Sequence, residues 1–236
     1  MVLAILQART SSHRLPGKVL SPILGTPLIL RALERISRSA LIDRIVLATS
    51  DDPSDDALAR VVSDAGYVVQ RGPLDDVLTR FIQVLDRFDD ETVVRLTGDN
   101  VLCDPRVIDE VISAHLDGGA DYTANTLQRT YPRGLDVEVF RADALRAVDG
   151  SAVAADEREH VTLGIYRRPE LFRLRSVTQP IDRSELRWTV DHPADLEFAR
   201  TVYSHLHDTD AAFGQEQVVG LLETHPDLVL REQDVS

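Results

Sequence analysis

The first half of the chain alternates between two patterns of apolar residues. Short, nearly continuous apolar runs are typical of buried parallel strands, and they occupy residues 2–6, 44–49, 67–69 and 92–96. Apolar residues at helical spacing follow each run, at 28–36, 58–65, 77–88 and 107–116. Strands that alternate with helices predict an α/β fold with a mainly parallel sheet and helices on both faces.

Capping residues suggest where some of these helices begin and end. Thr26 before Pro27 predicts an N-cap with proline at the first helical position, and Ser54 predicts the N-cap of the next helix. Gly66 and the pair Gly118-Gly119 predict helix ends, since glycine adopts the left-handed conformation without strain.

The second half of the chain is less regular. Alternation predicts strands at 121–125, 135–140, 172–177 and 186–190, and Pro193 predicts the start of a helix that ends near residue 205. The C-terminal extension, about 210–236, contains one weak amphipathic segment at 218–222. No repeat, low-complexity stretch or linker interrupts the chain, so residues 1–236 are predicted to form one domain.

Charge is distributed unevenly. Lys18 is the single lysine among 26 lysine and arginine residues, and no acidic residue precedes Glu34 although the net charge is −13. A basic N-terminal segment on an acidic protein favours a small anionic ligand over nucleic acid. Cys103 is the single cysteine, which excludes an intrachain disulfide, and no apolar run reaches the roughly 20 residues of a membrane span. A cytoplasmic protein is expected.

The loop after the first apolar run is the first candidate site. Arg9, Arg14 and Lys18 lie in it, and together with backbone amides they could hold a triphosphate. The loop lacks both the GxxxxGK[ST] and the GxGxxG patterns, so it is neither a Walker loop nor a dinucleotide fingerprint. The alternative is a solvated loop with incidental cations.

Two aspartates form the second candidate site. Asp99 follows a predicted strand and Gly98, whose missing side chain allows a close backbone approach to a ligand. Asp191 also follows a predicted strand. Alone, Asp99 could be an ordinary turn residue and Asp191 the N-cap of the next helix. Together, two strand-end carboxylates can converge on one Mg²⁺ that shares phosphate ligands.

Further candidates lie in the second half. His160 could contact a substrate or act as a base, or it could be a surface histidine on a charged helix. Arg133 and Asp136 could belong to an acceptor pocket or to an ordinary turn. His192 is better explained by turn chemistry than by metal binding. The acidic residues at 51–56 are explained most simply by a helix N-terminus.

Five segments, in this order, resemble the cytidylyltransferase family that activates sugar acids, in particular its spore coat polysaccharide biosynthesis branch. They cover about residues 1–205 and read QARTSSHRLPGKVL at 7–20, LTGD at 96–99, YPRGLDVEVF at 131–140, EREHVT at 157–162 and WTVDHPADLE at 188–197. The resemblance implies a Rossmann-like, GT-A-like nucleotidyltransferase fold that binds CTP and Mg²⁺.

The resemblance also implies roles for individual residues. Lys18 and Arg9 would be catalytic, and Asp99 and Asp191 would bind the metal. Two sets of residues would bind the substrates, and the CTP set includes the two catalytic residues. Those for CTP are Gln7, Ala8, Arg9, Arg14, Lys18 and Gly98, and those for the acceptor are Arg133, Asp136, Glu157 and His160. A homodimer is implied as well, with a β-rich arm at about 121–180.

One departure concerns residues 100–102. They read Asn-Val-Leu where the branch usually has Cys-Pro-Leu, which predicts a looser loop beside the metal ligand. The function implied is transfer of a nucleotidyl group from CTP to a sugar acid or related small acidic acceptor, with release of pyrophosphate. Two alternatives stay open, namely a glycosyltransferase that uses a nucleotide sugar and a catalytically silent paralogue that acts as a binding subunit.

Overall fold

A computed structural model describes residues 1–151 and 154–231. Nine strands lie within these ranges. They are β1 (Val2–Gln7), β2 (Pro22–Ile23), β3 (Thr26–Pro27), β4 (Arg44–Ser50), β5 (Val68–Gly72), β6 (Thr92–Thr97), β7 (Tyr122–Ala124), β8 (Glu138–Arg141) and β9 (Leu174–Ser176).

Nine α-helices lie within the same ranges. They are α1 (Leu28–Ile36), α2 (Asp56–Asp64), α3 (Val77–Arg87), α4 (Pro105–Gly118), α5 (Ala142–Ser151), α6 (Ala155–Glu159), α7 (Leu163–Tyr166), α8 (Pro193–Leu206) and α9 (Gln215–Thr224).

Seven of the strands form one sheet in the order β5-β4-β1-β6-β8-β7-β9. The strands β5, β4, β1 and β6 are mutually parallel, and β8 runs antiparallel to both of its neighbours. The predicted α/β fold with a mainly parallel sheet is confirmed. The segment 121–180 contributes β7, β8 and β9 to this same sheet, and a role for it at a dimer interface stays a prediction.

Side chains of β1 show that the sheet has a helical layer on each face. Val2, Ala4 and Leu6 join a core with α1, α4 and α8, whereas Leu3 and Ile5 join a core with α3 and α5 on the other face. Successive side chains of a strand point to opposite faces, so a continuous apolar run is required where both faces are covered.

Three local predictions are wrong. The strand predicted at 186–190 is a loop that makes only isolated bridges, Arg133 with Arg187 and Leu186 with Arg231, because its alternation comes from packing Trp188 and Val190 into the core. Thr26 belongs to β3, and Pro27 is the N-cap of α1. Ser54 lies in a 3-10 turn at Pro53–Asp55, whose N-cap Asp52 accepts from the Ser54 amide at 2.8 Å, and the N-cap of α2 is Asp55.

Residues 210–231 of the C-terminal extension pack against the rest of the domain, and the last five residues lie outside the described ranges. Phe213, Val218 and Leu222 are buried, and the guanidinium of Arg35 donates to the Phe213 carbonyl at 2.6 Å and lies over its ring. The weak amphipathic pattern predicted at 218–222 is therefore one face of α9, which closes the core beside α8.

Candidate active site

The carboxyl ends of β1 and β6 place two predicted motifs side by side. Gln7 is the register partner of Thr97, and the Gly98 amide donates to the Gln7 carbonyl at 2.8 Å. A Cβ on Gly98 would lie 2.7 Å from Cβ of Ala8 and 2.9 Å from Cδ1 of Ile29. Glycine is therefore required at position 98 because the two strand ends pack closely there.

Lys18 lies between the two predicted metal ligands. Its Nζ donates to Oδ2 of Asp99 at 3.2 Å, to Oδ1 of Asp191 at 2.8 Å and to the Val190 carbonyl at 2.6 Å. Gly17 precedes Lys18 with φ of 72°, a turn that favours glycine and directs the lysine inward. The Lys18 side chain is only 8% exposed, so its ammonium is held by these acceptors rather than by water.

The loop that bears Asp191 is fixed by hydrogen bonds on both sides. The Val190 amide donates to the Asp99 carbonyl at 3.0 Å, and Arg187 donates to Asp191 and Asp195 at 3.1 Å. Asp195 in turn accepts from the backbone amides of Asp191 and His192, so the residue that caps α8 also orients the candidate ligand.

Asp191 is held in its charged form. Burial raises the pKa of its carboxyl, but the hydrogen bond and charge of Lys18, with the charges of Arg14 and Arg187 nearby, outweigh burial and lower the pKa below its usual value. A negatively charged oxygen is therefore present at this position near neutral pH.

The N-terminal loop is anchored by an acidic residue of the predicted 51–56 cluster. Asp55 is fully buried and accepts from the amide and hydroxyl of Thr10, both at 2.7 Å, and from the side chains of Thr49 and Ser50. Although burial raises the pKa of Asp55, these hydrogen bonds lower it overall. Asp55 thus ties the cationic loop to the end of β4, a role that the helix-terminus interpretation missed.

A cavity of about 260 Å³, here called the loop cavity, opens between this loop and the sheet edge. All six residues predicted to bind CTP line it. Its full lining is Gln7, Ala8, Arg9, Ser12, His13, Arg14, Lys18, Val19, Arg80, Thr97, Gly98 and Asp99. The structure therefore brings the predicted cations and amides together around one space.

Arg80 is a residue of this cavity that sequence reasoning missed. It is 1% exposed on α3, one nitrogen donates to the Leu74 carbonyl at 3.3 Å, and its Nε and Nη1 are buried with no hydrogen-bond partner among the described residues. Burial and the charge of Arg9 lower its pKa. The available signal was an arginine three residues after Val77, on the apolar face of α3.

A second cavity of about 430 Å³, the strand cavity, lies beside β6, β7 and β8. At its base Arg95 and Glu138 form an ion pair, and Glu138 accepts from Tyr122 at 2.5 Å and from Thr162 at 2.7 Å. The cavity is lined by Arg95, Thr97, Tyr122, Thr126, Leu127, Arg129, Asp136, Glu138 and Tyr166. Aromatic rings mixed with hydrogen-bonding groups are suited to a polyhydroxylated ligand.

A third space of about 240 Å³, the polar cleft, connects the other two. It shares Thr97 and Asp99 with the loop cavity, and Thr97 and Asp136 with the strand cavity. Its lining is Arg14, Thr97, Asp99, Asn100, Arg133, Asp136, Arg187, Thr189 and Asp191. Thr97 lines all three spaces, which therefore meet at the end of β6.

The predicted acceptor residues divide into two groups. Arg133 and Asp136 line the polar cleft, and Asp136 also forms a bidentate ion pair with Arg129 at 2.6 and 3.0 Å. Glu157 is buried in an ion pair with Arg168 at 2.6 Å, and His160 is exposed; neither residue lines these three spaces. Their acceptor roles stay predictions.

Residues 100–102 form a buried turn beside Asp99. Val101 and Leu102 are buried, and the Tyr203 hydroxyl donates to the Val101 carbonyl at 3.1 Å. The amide of Asn100 donates to the Thr97 carbonyl at 3.1 Å, so the turn stays closed without the proline.

The two aspartates fit a magnesium site of the kind that phosphates complete. Across residues 1–151 and 154–231, no group of three or more His, Cys, Asp or Glu side chains could hold a metal ion by itself. Asp99 and Asp191 nevertheless face one common cation position, which the Lys18 ammonium marks. Mg²⁺ is commonly bound by one or two carboxylates together with substrate phosphates, and two carboxylates are present here. Binding of Mg²⁺ stays a prediction.

Comparison with known proteins agrees with this geometry. The family model described as Cytidylyltransferase matches residues 3–223. The chain is 36% identical over 243 residues to the spore coat polysaccharide biosynthesis protein SpsF of Bacillus subtilis, covering 99% of each chain. It is 31% identical over 211 residues to the 3-deoxy-manno-octulosonate cytidylyltransferase of Syntrophotalea carbinolica, covering 78% of this chain and 82% of that one.

Among solved structures, a cytidylyltransferase from Leptospira borgpetersenii superposes with a TM-score of 0.92 at 28% identity, covering 97% of this chain and 96% of the other. The chain belongs to the cytidylyltransferase family, and it is a nucleotidyltransferase. The family and the fold predicted from the ordered motifs are thereby confirmed.

Proposed function

We propose that this protein transfers a cytidylyl group from CTP, with Mg²⁺, to a sugar acid or a related small acidic acceptor and releases pyrophosphate. The observation that carries the proposal is the convergence of Lys18, Asp99 and Asp191 at the junction of the loop cavity and the polar cleft. The names of two relatives, a polysaccharide biosynthesis protein and a 3-deoxy-manno-octulosonate cytidylyltransferase, support the acceptor class.

The nucleotide is assigned to the loop cavity. Arg9, Arg14 and Lys18 supply positive charge for the triphosphate, and the backbone amides of the loop supply further donors. Arg80 lines the same cavity and adds positive charge to it. The phosphates are assigned to the Lys18 end of the cavity.

Asp99 and Asp191 are the residues proposed to hold Mg²⁺. When bound, the ion would neutralise negative charge on the phosphates and on the attacking and leaving oxygens. The Asp191 carboxylate is ionised before any metal binds, because Lys18 and the neighbouring arginines lower its pKa.

The acceptor is assigned to the strand cavity and the polar cleft. These two spaces share Thr97 and Asp136 and reach Asp99, so an acceptor there can present an oxygen to a nucleotide in the loop cavity. Tyr122, Tyr166 and the Arg129–Asp136 pair supply the mixed donors, acceptors and ring surfaces that sugars require.

The reaction forms a bond from an acceptor oxygen to the α-phosphorus of CTP and breaks the bond to the β-phosphate, so that pyrophosphate leaves. Lys18 and Arg9 are proposed to stabilise charge that develops on the phosphate oxygens. Removing a comparable transition-state donor costs about 10²–10³ in rate. No residue is assigned as general base. A carboxylate oxygen attacks without losing a proton, and a hydroxyl oxygen would release its proton to water.

The test is the melting temperature of the protein with Mg²⁺ and each of CTP, UTP, ATP and GTP. A ligand at about 100 times its Kd adds about 2.7 kcal/mol, which raises the melting temperature of a chain of this size by about 5–11 °C. We expect a Mg²⁺-dependent shift with CTP that is lost in Lys18→Ala and retained in Arg60→Ala, an exposed cation on α2. The absence of a shift with every triphosphate would overturn the proposal.

A further inference from the structure

A series of hydrogen bonds connects the strand cavity with the loop cavity across the neighbouring strands β8, β6 and β1. It begins at Tyr122 and Thr162, which both donate to Oε1 of Glu138. Glu138 pairs with Arg95, and Arg95 donates through Nε and Nη2 to Oε1 of Gln7 at 3.2 and 3.1 Å. Gln7 lines the loop cavity, whereas Arg95 and Glu138 line the strand cavity.

The middle of this series of hydrogen bonds is rigid. Arg95 and Glu138 are direct cross-strand partners on β6 and β8, and their side chains are only 16% and 11% exposed. Burial opposes the charge of both groups, yet their mutual attraction lowers the pKa of Glu138 and raises that of Arg95, so both stay ionised. A paired guanidinium between two strands has little freedom to turn away from Gln7.

Arg95 also fixes the orientation of the side-chain amide of Gln7. A guanidinium has only donors, so the oxygen of Gln7 must face it and Nε2 must face the opposite way. Among residues 1–151 and 154–231, Nε2 of Gln7 has no hydrogen-bond partner, and it is not sealed within the protein. Gln7 therefore presents a donor, rather than an acceptor, to the loop cavity.

We propose that Arg95 and Glu138 are positioning residues that fix the Gln7 amide as a hydrogen-bond donor to an acceptor atom of the bound nucleotide. This inference rests on the proposed function, since it takes the loop cavity as the nucleotide site. Arg95 and Glu138, which line the strand cavity, would thus also affect nucleotide binding in the loop cavity. The groups that face the acceptor also determine how tightly the nucleotide is held.

The experiment measures CTP affinity by calorimetry with Mg²⁺ and no acceptor. Gln7→Met removes the amide and keeps the length of the side chain. Glu138→Gln leaves the loop cavity untouched but faces Arg95 with a neutral amide. Asp90→Asn is the matched control, because Asp90 is a buried carboxylate paired with Arg44 at 2.8 Å, just before the start of β6 and away from all three cavities.

We expect Gln7→Met to weaken CTP binding about tenfold, the loss typical of one well-placed hydrogen bond. Glu138→Gln should weaken it by about threefold to tenfold, although removing a negative charge would by itself favour an anionic ligand. The two losses should not add in the double variant, since both act through one amide. Asp90→Asn should leave the affinity unchanged.

Unchanged or tighter CTP binding by Glu138→Gln would overturn the inference, as would a full additional loss in the double variant. Tyr122→Phe, which removes one donor to Glu138, replaces Glu138→Gln if that variant does not fold; unchanged CTP binding by it would likewise overturn the inference. Failure of the unaltered protein to bind CTP would instead refute the proposed function, so the two failures are distinguishable.

Discussion

At the scale of single residues, Lys18 shows why one lysine stands in a chain rich in arginine. Its Nζ has three acceptors within 3.2 Å in a site where its side chain is 8% exposed. An ammonium is compact enough to fit between two carboxylates, whereas a guanidinium is planar and wider. The choice of lysine is therefore explained by the geometry of the site.

Lys18→Arg is predicted to weaken binding of CTP with Mg²⁺ by about tenfold, because the wider head group displaces Asp99 or Asp191. Calorimetric titration of the variant checks this prediction. The melting temperature of the free variant serves as its folding control. An affinity equal to that of the unaltered protein would contradict the explanation given for the lysine.

His115 gives a prediction about pH. It is 5% exposed on α4, its Nδ1 lies 3.0 Å from the Thr123 hydroxyl, and burial followed by the charge of Arg141 lowers its pKa from 6.5 to about 4, against the opposing charge of Asp121. In the unfolded chain His115 binds a proton below about pH 6.5, whereas in the folded chain it binds that proton only below about pH 4. Stability therefore falls as pH falls through this window.

The expected contribution of His115 is a loss of about 2 kcal/mol at pH 5 relative to neutral pH. Urea unfolding at pH 7.5 and pH 5 measures the loss in the unaltered protein and in His115→Gln, where it should be smaller by that amount. His205→Gln, the same substitution at an exposed histidine of α8, is the matched control. Equal pH dependence in all three proteins would contradict the prediction.

At the scale of elements, the sequence predicts the structure well where the apolar residues follow a single clear pattern, such as a continuous run. The strands at 2–6, 44–49 and 92–96 lie within observed strands, because their apolar runs are buried on both faces. The strand predicted at 186–190 fails because a buried loop can also alternate, with Trp188 inward and Arg187 bonded to the capping Asp195.

Some residues of the site can be predicted from neighbouring sequence, whereas others are brought together only by the fold. Its cationic loop and two aspartates could be predicted, because each lies beside a recognisable strand or helix boundary. Arg80 was marked only by its position on the apolar face of α3. The hydrogen bonds that connect Glu138 with Gln7 could not be predicted, because only the sheet brings residues 7, 95 and 138 together. Nothing local in the sequence marks Arg95 as the neighbour of Gln7.

Gly134→Ala tests how one turn supports the site. Gly134 has a φ of +110°, and an added Cβ would lie 2.6 Å from both the Thr189 amide nitrogen and the Trp188 carbonyl carbon. We predict a loss of at least about 2 kcal/mol in the free energy of unfolding, together with weaker binding of CTP with Mg²⁺, because the displaced backbone leads to Asp191.

The matched control is Gly220→Ala in α9, where an added Cβ meets no atom within 4 Å. Alanine in a helix should stabilise that variant by up to about 1 kcal/mol without altering nucleotide affinity. Denaturant unfolding and calorimetry compare both variants. A Gly134→Ala protein as stable as the unaltered one would show that the turn accommodates a side chain.

At the scale of the whole molecule, the C-terminal segment belongs to the fold. Phe213 is fully buried, meets the Tyr203 ring edge-on with centroids 5.3 Å apart, and lies under the guanidinium of Arg35. Among the described residues, no helix is long and apolar enough to cross a membrane. A homodimer and a cytoplasmic location stay predictions.

Phe213→Ala is predicted to destabilise the protein by about 3–5 kcal/mol, the cost of removing a buried aromatic side chain. Leu171→Ala should change stability by less than about 0.5 kcal/mol, because Leu171 is 67% exposed. Urea unfolding of the two variants checks the contrast. Similar stability for both would mean that the C-terminal segment does not support the core.

The position of Asp191 so late in the chain has a consequence for synthesis. Lys18 and Asp99 belong to the first half, but the second carboxylate and the Val190 carbonyl that hold the ammonium come from the last quarter. A nascent chain on the ribosome therefore has the cationic loop and the first strands before it has a complete site. Nucleotide can be captured in the way proposed only after the residues up to Asp191 have emerged.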